Sequence, residues 1–129
     1  MHLSQQEIKD QMGGRLAGSK LMKEMVALAI TKLPEEIAQK IIDNCWFFSS
    51  FEDNYGYAFN GNDLKDMHLI FLADILFREP QPQILYTILH EIAHIALNHK
   101  NSIQYSQTKE EIAAQELEAD QFAKKYLQI

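Results

Sequence analysis

The sequence predicts an α+β fold. It has an N-terminal helix, straight or bent, a small three-stranded, mainly antiparallel sheet, a buried central helix and a C-terminal helix. Three observations predict it. Tyr55, Tyr57 and Phe59 alternate with Asn54, Gly56, Ala58 and Asn60, the period of a strand. The stretch from Gln83 to His99 is apolar almost all round, as suits a helix buried in the middle of a domain. Thr108 followed by Glu111 forms a capping-box signature, opening a helix that runs from about Lys109 to Leu127.

The remaining elements follow in chain order. Residues 1–18, interrupted by Gly13, Gly14 and Gly18, read as a loose N-terminal lead-in or a short helix plus a flexible joint, and residues 19–129 as one domain. Ser19 is placed to cap a helix over about Lys20–Lys32, where Leu21, Met25, Leu28 and Ala29 keep helical spacing. Pro34 suits the first turn of a segment to Asp43, either a second helix or the far arm of a bent first one. Cys45–Phe51 reads as an aromatic-rich strand, Glu52-Asp53-Asn54 as a turn, and His68–Ala73 as a third strand. Together with the alternating segment these make a meander. Pro80 and Pro82 mark the start of the buried helix.

Bulk properties exclude several classes of function. The 129 residues carry a formal net charge of -6, with a pI of about 5.3, so the surface does not attract phosphate backbones and nucleic-acid binding is disfavoured. Cys45 is the one cysteine, which rules out an internal disulfide and fits a reducing compartment. Residues 1–11 are polar and lack the apolar centre of a signal peptide, and Met25–Ile30 is far too short to cross a bilayer. The expectation is a soluble, cytoplasmic protein that engages neither membrane nor nucleic acid.

The chemistry lies in His90-Glu91-Ile92-Ala93-His94. Two histidines four apart share a helix face and can reach one Zn2+ ion, and Glu91 is placed to act as general base on water there. With five His and eleven Glu in the chain, chance supplies only about 0.016 such motifs, so coincidence is a poor account. Left unpaired in a core, each of these groups would cost several kcal/mol. The bland alternative is a set of core histidines satisfied by backbone or by Glu91.

A catalytic zinc takes three protein ligands. A third His six residues after His94 would fall on Lys100. His99 comes one position early, and Leu97 stands where that pattern needs glycine, so His99 reads as a helix-end residue favoured by the dipole. The last helix offers acids instead. Ile112, Glu116, Asp120, Ala123 and Leu127 fall on one stripe that should face the core, while Glu118 is turned away into solvent. Glu116 is therefore the expected third ligand, and Asp120 the expected partner of a ligand histidine's outer nitrogen, that of His90.

These residues resemble a known family. The HExxH helix followed by Glu116-Leu117-Glu118-Ala119-Asp120-Gln121-Phe122-Ala123 is similar to the E-x-x-A-[DN]-x-F-A signature of gluzincin zinc peptidases. That signature is shared by the ImmA/IrrE peptidases and by the HtpX-like and CAAX-type membrane peptidases with their soluble relatives, the minigluzincins. The resemblance covers roughly residues 45–127. It implies a three-stranded sheet with two active-site helices, a protein or peptide substrate, one Zn2+ ion and Glu116 as ligand. Two departures stand out: the spanning helices of the membrane groups and the helix-turn-helix partner domain of many ImmA/IrrE proteins have no counterpart in this sequence.

The expected activity is hydrolysis of peptide bonds by a zinc-dependent endopeptidase, with a regulatory protein as substrate. That substrate would lie extended on the edge of the Tyr55–Asn60 or the His68–Ala73 strand. His68, Tyr105 and Tyr126 are candidate oxyanion donors, although each has a simpler structural role. The alternative function is a non-proteolytic zinc-binding regulator that holds a transcription factor or toxin-type partner. An intact Glu91 argues against it, because a structural zinc needs no such base.

Overall fold

A computed structural model describes residues 3–50, 56–59, 67–99 and 107–128. Helix α1 (Gln5–Met12) opens on a capping box in which Ser4 accepts from the Glu7 amide while the Glu7 carboxylate accepts from the Ser4 amide. It buries Ile8 and Met12. Of the two readings of residues 1–18, the structure has the short helix, and it contributes to the core rather than forming a loose lead-in. Beyond a 3-10 turn at Gly13–Arg15 comes a two-residue strand, β1 (Leu16–Ala17), with Leu16 buried. Gly18 follows because a Cβ there would run into the Met22 side chain.

Ser19 caps α2 (Lys20–Thr31) by accepting from the Met22 amide at 3.1 Å. One face of α2 buries Met22, Val26, Ala29 and Ile30. Pro34, with φ -55 and ψ 149, is extended rather than helical and separates α2 from α3 (Glu35–Asn44). The two are distinct helices, not arms of a bent one, since a residue preceding α3 in that conformation breaks the hydrogen-bond ladder.

The sheet corrects the sequence expectation. Among the described residues it has four strands in the order β1-β2-β4-β3, where β2 is Cys45–Ser50, β3 is Gly56–Phe59 and β4 is His68–Ala73. β1 runs parallel to β2, with Leu16 opposite Phe47. β2 runs parallel to β4, with Cys45 opposite His68. Of the three pairings, the one between β3 and β4 alone is antiparallel, with Tyr57 opposite Phe71. The small three-stranded, mainly antiparallel meander is therefore overturned: the fold is α+β with a mainly parallel sheet. A meander pairs each strand with the next, but β4 inserts between β2 and β3. Parallel pairs need a crossover, and α2 with α3 supplies the one from β1 to β2. The sign of this was the unbroken apolar run Leu69–Ala73, which suits a central strand covered on both faces better than a strand of a half-solvated meander.

Helix α4 (Gln81–Ala96) starts behind Pro80 with Pro82 in its first turn. It packs against α2, α3, β3, β4 and α5 (Lys109–Leu127), so it is the axis of the domain. Ile84, Leu85, Ile88, Leu89, Ile92 and Ile95 are all buried on it. α4 ends before the expected His99 because Asn98 turns left-handed, with φ 56. Helix α5 has the expected Thr108–Glu111 capping box and lies on α4 through Ala119, Phe122 and Ala123. No helix among the described residues is long and apolar enough to cross a membrane.

Ile88 has no exposed surface and sits at the middle of α4. Ile88→Ala is expected to lower the free energy of unfolding by about 2–5 kcal/mol, read from chemical denaturation. A loss under about 1 kcal/mol would contradict a tightly packed site there.

Candidate metal centre

The last two turns of α4 carry His90, Glu91 and His94, and α5 crosses them with its acids facing the two imidazoles. His90 Nε2 lies 3.0 Å from Glu116 Oε2, and His94 Nε2 lies 3.2 Å from Glu116 Oε1. The outer nitrogens point the other way. His90 Nδ1 is 3.0 Å from Asp120 Oδ1, and His94 Nδ1 is 2.9 Å from His99 Nδ1. The structure thus brings together His90, His94, Glu116 and Asp120, the residues expected from the motif and the helical phase.

Protonation tests whether these groups suit a metal. If both histidines were simply hydrogen-bonded to Glu116, each Nε2 would carry the proton, and a neutral His90 would then turn a lone pair toward the Asp120 carboxylate. With a cation on the two Nε2 atoms, both Nδ1 atoms carry protons, and these face Asp120 and His99. Ligand atoms of His90, His94 and Glu116 all lie within 4.8 Å of one another. The separations of 3.0 and 3.2 Å are close to the edge of about 3.3 Å of a tetrahedron with 2.0–2.1 Å ion–ligand bonds. The group can hold a metal ion. Burial also depresses the His94 pKa, which keeps its imidazole neutral, the form that ligates.

Glu91 is 5% exposed, and its Oε2 is buried without a hydrogen-bond partner among the described residues. Burial first, and then the negative charge of Glu116, push its pKa from 4.5 up to about 8. A buried carboxyl poised in this way beside a candidate cation site has the character of a general base.

Tyr86 stands one turn before His90 on the same face and donates its hydroxyl to Asp120 Oδ1 at 2.5 Å. Burial and this bond raise its pKa to about 12, so it stays a donor. The same Asp120 oxygen lies 3.0 Å from His90 Nδ1, a contact without hydrogen-bond alignment. Sequence reasoning missed Tyr86, although its spacing of four from His90 was the available signal. It also read His99 and Glu118 apart from the site, whereas His99 is buried and its Nε2 lies 3.5 Å from Glu118 Oε1. The stripe that was expected to face the core runs along its rim. Ile112 is exposed, and the Glu116 and Asp120 side chains keep 52% and 42% of their surface. Of the candidate oxyanion donors, His68 begins β4 and is buried, Tyr126 meets Phe122 edge to face, and Tyr105 lies outside the described residues.

The family model described as Peptidase U49 matches residues 83–128. That span is little more than a third of the chain and takes in α4 from its first turn, the connection, and α5, which together hold Tyr86, His90, Glu91, His94, His99, Glu116, Glu118 and Asp120. No curated protein and no solved structure matches the chain. The similarity supports a peptidase function, the hydrolysis of peptide bonds, and is coarser than the resemblance to gluzincins or ImmA/IrrE peptidases.

Glu91 makes the metal-free chain sensitive to pH. Its folded pKa of about 8 lies above its unfolded value of 4.5, so its contribution to stability is full below the unfolded pKa and is lost as pH rises through the folded one. In the presence of chelator, the melting temperature of Glu91→Gln should gain on that of the wild type as pH is raised from about 5 to 8. The opposite shift of His94 is common to both proteins and cancels in the difference. A difference that stays flat across this range would contradict a buried, raised carboxyl.

Proposed function

We propose that the chain is a zinc-dependent endopeptidase of the gluzincin type, with His90, His94 and Glu116 as ligands of one Zn2+ ion and Glu91 as general base. The observation that carries this reading is the convergence of ligand atoms of His90, His94 and Glu116 within 4.8 Å of one another, beside a buried Glu91 oxygen without a partner among the described residues. Bound there, zinc supplies Lewis acidity toward water and the scissile carbonyl. Glu91 takes the proton of the attacking water and delivers it to the leaving amine. Asp120, held by Tyr86, keeps His90 in the tautomer with its proton on Nδ1.

The substrate is a protein or peptide bound in extended form. β4 is flanked on both sides by β2 and β3, whereas β3 ends the strand order among the described residues, packs on α4 and is the edge suited to strand addition. A regulatory protein as substrate follows from the ImmA/IrrE resemblance. A net charge of -6 argues against nucleic-acid partners. A single, buried Cys45, with its pKa pushed up to about 12 by burial, suits the cytoplasm.

The purified wild type should contain close to one zinc per chain by elemental analysis. Glu116→Ala should lose it, and Glu110→Ala, an exposed first-turn acid of α5, should keep it. Glu91→Gln should retain the metal while peptide hydrolysis falls by about 10²–10⁴-fold. A wild type that neither contains nor takes up zinc would sink the proposal. A Glu91→Gln protein that keeps both its zinc and the wild-type biological effect would favour the non-proteolytic regulator.

A further inference from the structure

The end of α4 is capped in a way that bears on the metal centre. Asn98 is left-handed, with φ 56; its amide donates to Ile95 O at 3.0 Å, and the His99 amide donates to His94 O at 2.9 Å. This pair of bonds around a left-handed residue is a Schellman ending. Such an ending brings the side chain after the left-handed residue onto the side chain five positions earlier, usually as an apolar contact. Here those two side chains are His99 and His94. Their rings stand 5.1 Å apart at 61°, with the two Nδ1 atoms at 2.9 Å. His99 is 8% exposed, and its far nitrogen faces Glu118 Oε1 at 3.5 Å.

We propose that His99 is a positioning residue of the metal centre: its Nδ1 accepts the Nδ1–H of His94, and Glu118 holds it in the tautomer that can accept. This rests on the zinc reading of His94 and deepens it. One proton assignment fits the direction of every contact in the row. His94 carries its proton on Nδ1 and leaves Nε2 bare for the ion. His99 then has a bare Nδ1 and a proton on Nε2, which lies toward the Glu118 carboxylate. A cationic His99, as a simple dipole contact would have it, has no lone pair for His94. Each ligand histidine thereby receives a carboxylate from α5: His90 directly from Asp120, and His94 from Glu118 through a second imidazole. The backbone cap, not the metal, puts His99 where it is, so the arrangement exists before an ion arrives.

Two readouts test this. In the metal-free wild type, long-range 15N–1H NMR should find His94 in the Nδ1–H tautomer and His99 in the Nε2–H tautomer. Competition with a chromophoric chelator gives the zinc dissociation constant. His99→Phe, which keeps the ring in the cap but cannot accept, should weaken zinc binding about 10–100-fold and mix the His94 tautomers. His99→Asn, whose carbonyl can accept, should recover most of that loss. Glu118→Ala should weaken binding by a smaller factor and add nothing in the His99→Phe background. A folded His99→Phe with wild-type zinc affinity, or a His99→Asn as weak as His99→Phe, would reduce His99 to packing and overturn the proposal. Should His99→Phe not fold, Glu118→Ala decides, because its side chain is exposed: unchanged affinity and an unchanged His99 tautomer overturn the proposal. If the wild type binds no zinc, the zinc reading fails by itself. The metal-free spectrum still judges this one, and a His94 found in the Nε2–H tautomer overturns it.

Discussion

Three ionisable side chains within five residues of an otherwise apolar, central helix impose the constraint on which the rest of the molecule depends. A core that takes in His90, Glu91 and His94 must supply partners for all of them, or bear a desolvation cost of several kcal/mol for each. α5 meets much of this demand. From one helix it presents Glu116 to the two inner nitrogens, Asp120 to one outer nitrogen, and Glu118 to the histidine that backs the other. The hydrogen bonding stays incomplete. Among the described residues the buried Glu91 Oε2 and His90 Nδ1 have no aligned hydrogen-bond partner, and burial with the charge of Glu116 lifts the Glu91 carboxyl to a pKa of about 8. Both atoms lie where the proposed chemistry would use them.

The parallel sheet and the N-terminal helices hold α4 rather than join the chemistry. β4 runs down the middle of the sheet with β2 on one side and β3 on the other, while α2 and α3 cross over between β1 and β2. α4 is thus gripped by several elements and α5 mainly by α4. The rigid partner carries the histidines, and the peripheral helix carries the carboxylates.

Much of this was legible in the sequence because it is local. The HExxH spacing, the Thr108–Glu111 box and the phase that separates Glu116 from Glu118 depend on one helix at a time. Sheet order is not local. Leu16 and Ala17 gain strand character only by pairing with Phe47 and Phe48, and no turn signal announces that β4 slips between its predecessors. His99 was misread for a related reason. A periodic rule places it at a helix end, but the left-handed turn at Asn98 folds its ring back onto His94, and periodicity does not extend through such a turn. Phase likewise gives direction and not depth, which is why the acids of α5 sit at the rim rather than inside.

The residues α5 buries against α4 include two alanines, Ala119 and Ala123, both without exposed surface, placed between and beside the acids. Methyl groups at these positions let the two helix backbones come close, and short carboxylate arms then suffice to reach the imidazoles. The gap between the helices works as a gauge block for the site: its thickness is set by side chains with no donor atoms. Two proteins could share every ligand named here and still differ in how tightly they grip an ion, through volume alone. A search for relatives by ligand pattern would not separate them, whereas the small residues between the ligands would.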